Sequence, residues 1–264
     1  MESALSEIEF LALSPNRVAV LRHLAQERRT RTELARETGA SQATLGRILR
    51  DFEERSWIRR TEGGYVATAT GELVAEGFLD LLDIMQTEAD LRNVVPYLPT
   101  DALGFDLRHL GDATITMPSG TRPNAPVQRL LGFLRDADEA RAFSHAFNEG
   151  SLTVIEQRVT AGEMTFQGVF SRRAIDAVAD DAGLRRRLES LLDASGAALR
   201  VREAEIPLAV TTADDMVHLL LRDANGVLQA SVDSDADAVR QWADETFERY
   251  WAAATPVDRE DLPS

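Results

Sequence analysis

Cysteine is absent from the 264-residue chain. No disulfide framework, thiol nucleophile or cysteine-ligated zinc or iron–sulfur site is therefore open to it. Lysine is absent as well: all 29 basic residues are arginine, set against 44 Asp and Glu for a formal net charge of −15. An acidic, lysine-free chain has the composition of proteins that work in concentrated salt, where acidic surfaces hold hydrated cations; GC-rich coding is a second source of the same bias. Long hydrophobic runs are also missing. Apolar residues make up 44% of the chain, yet no run approaches the roughly 18 residues of a membrane span. The first ten residues carry Glu2, Glu7 and Glu9 in place of a basic and then apolar leader. These absences exclude a helical membrane protein and make the cytoplasm the expected location. The length suits two modest domains better than one.

A uniformly acidic chain argues against a nucleic-acid partner, but the charge here is uneven. Residues 1–70 hold 11 Arg against 10 Asp and Glu, whereas residues 71–264 hold 18 Arg against 34. A neutral segment in an otherwise anionic chain is where a polyanionic ligand is sought.

That segment has its own organisation. Ser14-Pro15 opens a helix with a capping serine and a proline in the first turn. Val18, Leu21 and Leu24 follow at helical spacing. Residues 28–32 read as a polar connection, Glu33 to Thr38 as a short helix ended by Gly39-Ala40, and Ser41 as the cap of the next helix. From Gln42 to about Arg55, Leu45, Ile48, Leu49 and Phe52 share one stripe, leaving Ala43, Thr44, Arg47, Arg50 and Asp51 outside it. Two short strands, Trp57 to Arg60 and Tyr65 to Ala67, are joined through Gly63-Gly64, a pair suited to a tight hairpin. Helix, helix, turn, helix, hairpin is the order of a winged helix-turn-helix, whose second motif helix fits a major groove.

The candidate nucleic-acid residues follow from that order. Gln42, Thr44 and Arg47 lie on the first two turns of the recognition helix, where glutamine suits adenine, arginine guanine and threonine the thymine methyl. Arg28, Arg31, Ser41 and Arg50 are expected at phosphates, together with the free N–H groups of the helix start. Arg59, Arg60 and Tyr65 on the hairpin are placed at the adjacent backbone or minor groove. The plainer alternative is that these arginines pair with Glu33, Glu37, Asp51 and Glu62 on the surface.

Thr70-Gly71 starts a longer helix reaching about Asn93, closed by Pro96 and Pro99. Val74, Phe78, Leu81 and Met85 form a stripe that predicts a homodimer contact, the alternative being packing within the same chain. Beyond Thr100, short strands alternate with helices and end in an antiparallel meander turned at Asp223-Ala224-Asn225-Gly226. The resulting expectation is an α+β protein: winged helix-turn-helix over 1–70, linker helix over 71–98, and a mixed α/β sensor-like domain over 99–254. Residues 255–264 are expected to be a frayed tail.

The head resembles archaeal winged-helix transcription regulators, the broad class that includes arsenical-repressor-like proteins. The resemblance is carried by SPNRVAVLRHL, TRTELARETGASQATLGRILRDFEERSWIRR, TEGGYVAT and TATGELVAEGF. The stretch IPLAVTTADDMVHLLLRDANGVLQASVDSDADAVRQWADETFERYW is similar to the C-terminal domain of methanogenesis-regulatory proteins, and loosely to the ligand-binding part of sugar-responsive TrmB-type regulators. The resemblance implies a one-component regulator with a DNA-binding head; because a single short helix reads few base pairs, binding of a double-stranded operator as a homodimer is expected. The resemblance also implies a C-terminal domain that senses a small-molecule effector or assembles subunits, acting through the helix at 71–94. No catalytic residue and no cofactor is carried over.

Competing chemistry is thin. His23, His109, His145 and His218 lack the spacing of a metal site. Asp180-Asp181 and Asp214-Asp215 read as hydrated surface charge. Phosphate-loop, dinucleotide and nucleophile-elbow motifs are missing. Arg172-Arg173 and Arg185 to Arg187 are expected to pair with Asp176, Asp180 and Asp181 more than to receive an anionic metabolite. Trp242 and Trp251 are expected to pack. Two rival functions remain: a winged-helix module that contacts proteins rather than DNA, and an enzyme with an auxiliary head.

Overall fold

The computed structural model describes residues 2–259. The chain divides into two compact units, residues 1–86 and 87–264.

The first unit contains α1 (Glu2–Ala12), α2 (Pro15–Gln26), α3 (Arg31–Thr38), α4 (Gln42–Glu54), the strands β1 (Ile58–Thr61) and β2 (Gly64–Ala67), and the start of α5 (Ala69–Leu91). Leu21, Leu24, Leu34, Leu45, Ile48 and Phe52 are buried together at its centre. β1 and β2 pair antiparallel with Thr61 opposite Gly64, so the wing turns at Glu62-Gly63. Arg29 adds a single bridge to Tyr65, which ties the connection between α2 and α3 to the wing. This is a winged helix-turn-helix within an α+β protein.

Several local expectations need correction. Ser14 stands at the start of α2, but its side chain accepts no capping hydrogen bond. α3 begins at Arg31 rather than Glu33, because Thr30 and Glu33 form a reciprocal capping box. α1 was not anticipated: Leu5 and Ile8 are exposed, so its apolar residues follow no single buried stripe. Its anchors are Leu11 in the core and Phe10, which meets Phe52 and Trp57 edge-on at 6.2 and 6.0 Å. Arg17 and Arg55 lie 3.9 and 3.8 Å over the Phe10 ring. The stripe on α5 is split as well. Phe78 is buried in the head core and Val74 packs against it, whereas Leu81 and Met85 are 38% and 53% exposed.

The second unit is a mixed eight-stranded sheet with helices on both faces. After three short 3-10 turns come β3 (Thr114–Thr116), α6 (Ala125–Asp136), β4 (Glu139–Ser144), α7 (Glu149–Thr160), β5 (Thr165–Ser171), α8 (Arg172–Ala179), α9 (Ala182–Asp193) and β6 (Ala197–Arg202). β7 (Ala209–Ala213), β8 (Met216–Arg222), β9 (Leu228–Ser234), α10 (Asp237–Ala252) and β10 (Thr255–Pro256) complete it. The strand order is β10-β6-β5-β4-β7-β8-β9-β3. β4, β5 and β6 run parallel and the remaining pairs antiparallel.

The period-2 alternation of the strands divides the core into two layers. Phe166, Phe170 and Leu220 face a layer with Leu130, Leu152, Ile175 and Leu188 of the helices. Phe143, Val169, Leu219 and Leu221 face the other, with Trp242, Phe247 and Tyr250 of α10. Trp242 Nε1 donates to the Ala102 carbonyl at 3.2 Å, and Trp251 stacks on Phe247, so both tryptophans pack as expected.

Residues from Thr255 were expected to fray. Instead Thr255-Pro256 pairs with β6, the Val257 amide donates to the Leu199 carbonyl, and Arg259 bridges Glu189 and Asp193 of α9. Residues 260–264 lie outside the described ones. Of the paired acids, Asp180 is exposed surface charge as expected, whereas the other three have defined partners. Asp214 accepts from the Asp138 and Glu139 amides, Asp215 pairs with Arg240 at 2.8 Å, and Asp181 caps α9. Arg172 and Arg187 find Glu203 and Glu156 rather than the aspartates of their own loop.

Candidate nucleic-acid interface

The face to be judged is the side of α4 opposite its core stripe, with the adjoining wing. Leu45, Ile48, Leu49 and Phe52 are buried, which turns Ala43, Arg47 and Arg50 outward by the 3.6-residue repeat. All three are exposed.

The start of α4 is held by its own hydroxyls. Ser41 Oγ accepts from the Thr44 amide at 3.1 Å and lies 2.9 Å from Thr44 Oγ1. Ser41 and Gln42 are exposed and Thr44 is half-buried, with its hydroxyl engaged at the cap. Gly39, at φ 68°, makes the left-handed exit from α3 that sets the angle between the two motif helices.

Arg31 is engaged across that angle. Its guanidinium donates to the Gln42 carbonyl. A side chain at Gly46 would stand 2.8 Å from Arg31 Nη2, so the glycine makes room for this brace. Arg28 Nη1 donates to the Glu62 carbonyl at 2.9 Å, fastening the tip of the wing. Tyr65 is half-buried at the bridge to Arg29, with the Arg60 guanidinium 6.0 Å over its ring. Of the ten residues singled out in the sequence, Arg28, Arg31, Ser41, Thr44 and Tyr65 therefore hold the motif in shape. Gln42, Arg47, Arg50, Arg59 and Arg60 are exposed on α4 and the wing.

The electrostatics of this face rest on how the neighbouring acids are used. Asp51 stands 3.8 Å from Arg17, and Glu37 faces His23 and Arg29 at 3.5 Å each. Glu27 pairs with Arg29 at 2.6 Å and Glu7 with Arg55 at 2.7 Å. Glu33 is spent on the capping box, where hydrogen bonds from Thr30 hold its carboxyl below the usual range. Among the described residues, Arg47, Arg50 and Arg59 have no carboxylate within ion-pairing distance. Such a face can take phosphate oxygens or base-edge acceptors without first breaking an internal salt bridge.

Sequence reasoning missed the structural work of Arg29, which makes the bridge to Tyr65 and two ion pairs. The capping box at Thr30-x-x-Glu33 was legible, but nothing local marks the bridge of Arg29 to Tyr65, which lies far along the chain on the wing.

Comparison with known proteins bears on both units. Residues 5–90 match the HVO_A0261 N-terminal domain, and residues 123–253 match the middle domain of the methanogenesis regulatory protein FilR1. No curated protein matches the chain in sequence. Among solved structures, the chain is similar to TrmBL2, described as an archaeal chromatin protein with a novel mode of DNA binding. That match has 15% identity, covers 94% of this chain and 97% of that one, and has a TM-score of 0.42. It is also similar to Nuc, a phospholipase D family member from Salmonella typhimurium, at 13% identity over 55% of this chain and 98% of that one, with a TM-score of 0.43. By these two matches the winged helix-turn-helix head is similar to the HVO_A0261 N-terminal domain, and most of the second unit is similar to the middle domain of the methanogenesis regulatory protein FilR1.

Proposed function

We propose that the protein is a DNA-binding transcription regulator that reads a specific operator as a homodimer. The reading rests chiefly on one observation: Arg47, Arg50 and Arg59 are exposed on α4 and the wing with no carboxylate in ion-pairing distance among the described residues, while Asp51, Glu37 and Glu33 are committed to other arginines, to a histidine or to a helix cap. TrmBL2, the archaeal chromatin protein similar to this chain, binds DNA, which is consistent with the reading. In it, α4 enters the major groove, Gln42 and Arg47 meet base edges, Arg50 meets phosphate, and Arg59 and Arg60 on the wing meet the neighbouring backbone. One short helix specifies few base pairs, so two heads are required. The exposed Leu81 and Met85 of α5 are the candidate contact between copies. The C-terminal domain is read as the effector-sensing part, with no catalytic role.

The test is selection of bound duplexes from a random pool, followed by fluorescence anisotropy with the selected site. Each lost arginine contact to a base removes about 1–3 kcal/mol. The double variant Arg47→Ala with Arg50→Ala is therefore expected to bind at least about tenfold more weakly. Full affinity in that variant would favour a winged-helix module that contacts proteins instead.

A further inference from the structure

A groove opens at the carboxyl ends of β4 and β5, the place where parallel strands of α/β sheets hold ligands. The chain crosses from β6 to β7 on the far side of β4, so the groove sits where the strand order reverses. It has a volume of about 890 Å³ and is lined by His145 after β4, Ser171 at the end of β5, Arg173 in α8, and Arg222 at the end of β8. Behind it lies an inner chamber of about 50 Å³, walled by Leu134, Ile155, Phe166 and Phe170. Ala146, Phe147, Leu152, Leu220 and Arg222 line both spaces, which makes them one site with an open and an apolar part.

Arg222 is the one charged residue among those lining the inner chamber. Its Nη1 donates to the Gly226 carbonyl at 2.9 Å, while its Nε is buried without a partner. No carboxylate lies within ion-pairing distance of it among the described residues. Ser151 Oγ and His145 Nδ1, on the same two linings, are also buried without a partner. The acids nearby do not answer this cation. Asp223 is occupied by the amides of Asn225 and Val227 and by Gln229, and Glu149 and Glu205 are exposed on the groove. Burial and Arg222 together hold His145 below its ordinary pKa, so at neutral pH it offers a neutral ring rather than a second positive charge.

A half-buried guanidinium with an unused Nε edge suits one planar carboxylate, and the apolar chamber beyond it suits a hydrocarbon body. Exposed Glu149 and Glu205 repel ligands of higher negative charge. We propose that this cavity binds a short-chain organic monocarboxylate, its carboxylate on Arg222 and its body of two or three carbons in the inner chamber, which at about 50 Å³ is too small for an aromatic ring. The inference deepens the effector part of the regulator reading by giving the effector a chemical class.

The experiment is isothermal titration calorimetry of the full chain in concentrated potassium chloride, with propionate, butyrate, 1-butanol, succinate and inorganic phosphate. Propionate or butyrate is expected to bind at least about tenfold more tightly than the alcohol, the dianion or phosphate, the size of one charged hydrogen bond. Arg222→Met is expected to lose that preference while its thermal midpoint stays level or rises, because an unpaired cation has left the interior. The wild-type comparison decides the matter even if the variant fails to fold. Absence of carboxylate binding, a preference for phosphate or succinate, or undiminished binding by Arg222→Met would overturn the proposal. DNA binding measured on the same preparation separates the two readings. DNA binding without carboxylate uptake sinks only the cavity assignment, and carboxylate uptake without DNA binding sinks only the regulator assignment.

Discussion

Asp233 of β9 accepts hydrogen bonds from His218 Nδ1 at 2.5 Å and from Arg129 Nε at 2.7 Å, and it is 2% exposed. Phe133 meets the His218 ring edge-on at 6.2 Å, and Arg129 lies 5.0 Å over Phe133, so α6, β8 and β9 are joined through one polar cluster. Removing the carboxylate strands a buried imidazole and a guanidinium. Asp233→Ala is expected to cost about 3 kcal/mol in chemical denaturation, and a loss near zero would show that the cluster is not a stabilising contact. None of this was legible from the sequence. His218 and Asp233 stand 15 positions apart on neighbouring strands, and only the antiparallel register of β8 and β9 sets them face to face. The outward residues of α4 were legible, because Leu45, Ile48, Leu49 and Phe52 mark its inner side and geometry then fixes the outer one.

At the scale of elements, helix ends and helix faces carry the testable consequences. Thr30 and Glu33 close the start of α3 by mutual hydrogen bonds, and Thr30→Ala is expected to destabilise the head by about 1 kcal/mol in thermal or urea unfolding. Those bonds lower the Glu33 pKa from its ordinary 4.5. A carboxyl with a lowered folded-state pKa stabilises the fold above its unfolded-state value, and that contribution fades as pH falls through the folded-state value. Melting temperatures of wild type and Glu33→Gln measured down to about pH 3 are expected to converge as acid removes the advantage of the carboxylate. A gap that is constant with pH would argue against it. On α5, the two halves of the sequence stripe part company. Phe78→Ala is expected to unfold the head, at about 3–5 kcal/mol for a buried phenylalanine. Leu81→Glu with Met85→Glu is expected to leave the head folded and yield monomers in light scattering. A persistent dimer would place the subunit contact elsewhere. A heptad-like spacing cannot separate these outcomes, since self-packing and pairing with a second copy demand the same periodicity.

At the scale of the whole molecule, a chain of net charge −15 approaches an anionic duplex against repulsion. Screening in molar potassium chloride shortens that repulsion to about 3 Å, so that on the proposed reading affinity depends on close contacts of Arg47, Arg50 and Arg59. Specific binding is expected to persist or strengthen as salt rises toward the molar range; a steep loss between low and high salt, as ordinary counterion release gives, would contradict it.

The sequence by itself determined what depends on neighbours along the chain. The order of the head elements after α1, the buried stripe of α4, the hairpin and most strands and helices of the second unit follow from local periodicity and turn residues. Tertiary structure decided whatever joins distant segments: the brace of Arg31 on Gln42, the bridge of Arg29 to Tyr65, the burial of Phe78, the pairing of Thr255-Pro256 with β6, and the cavity at Arg222. The physical reason is that a period records which side of an element is apolar, whereas a contact also requires the register and crossing of elements far apart in the chain.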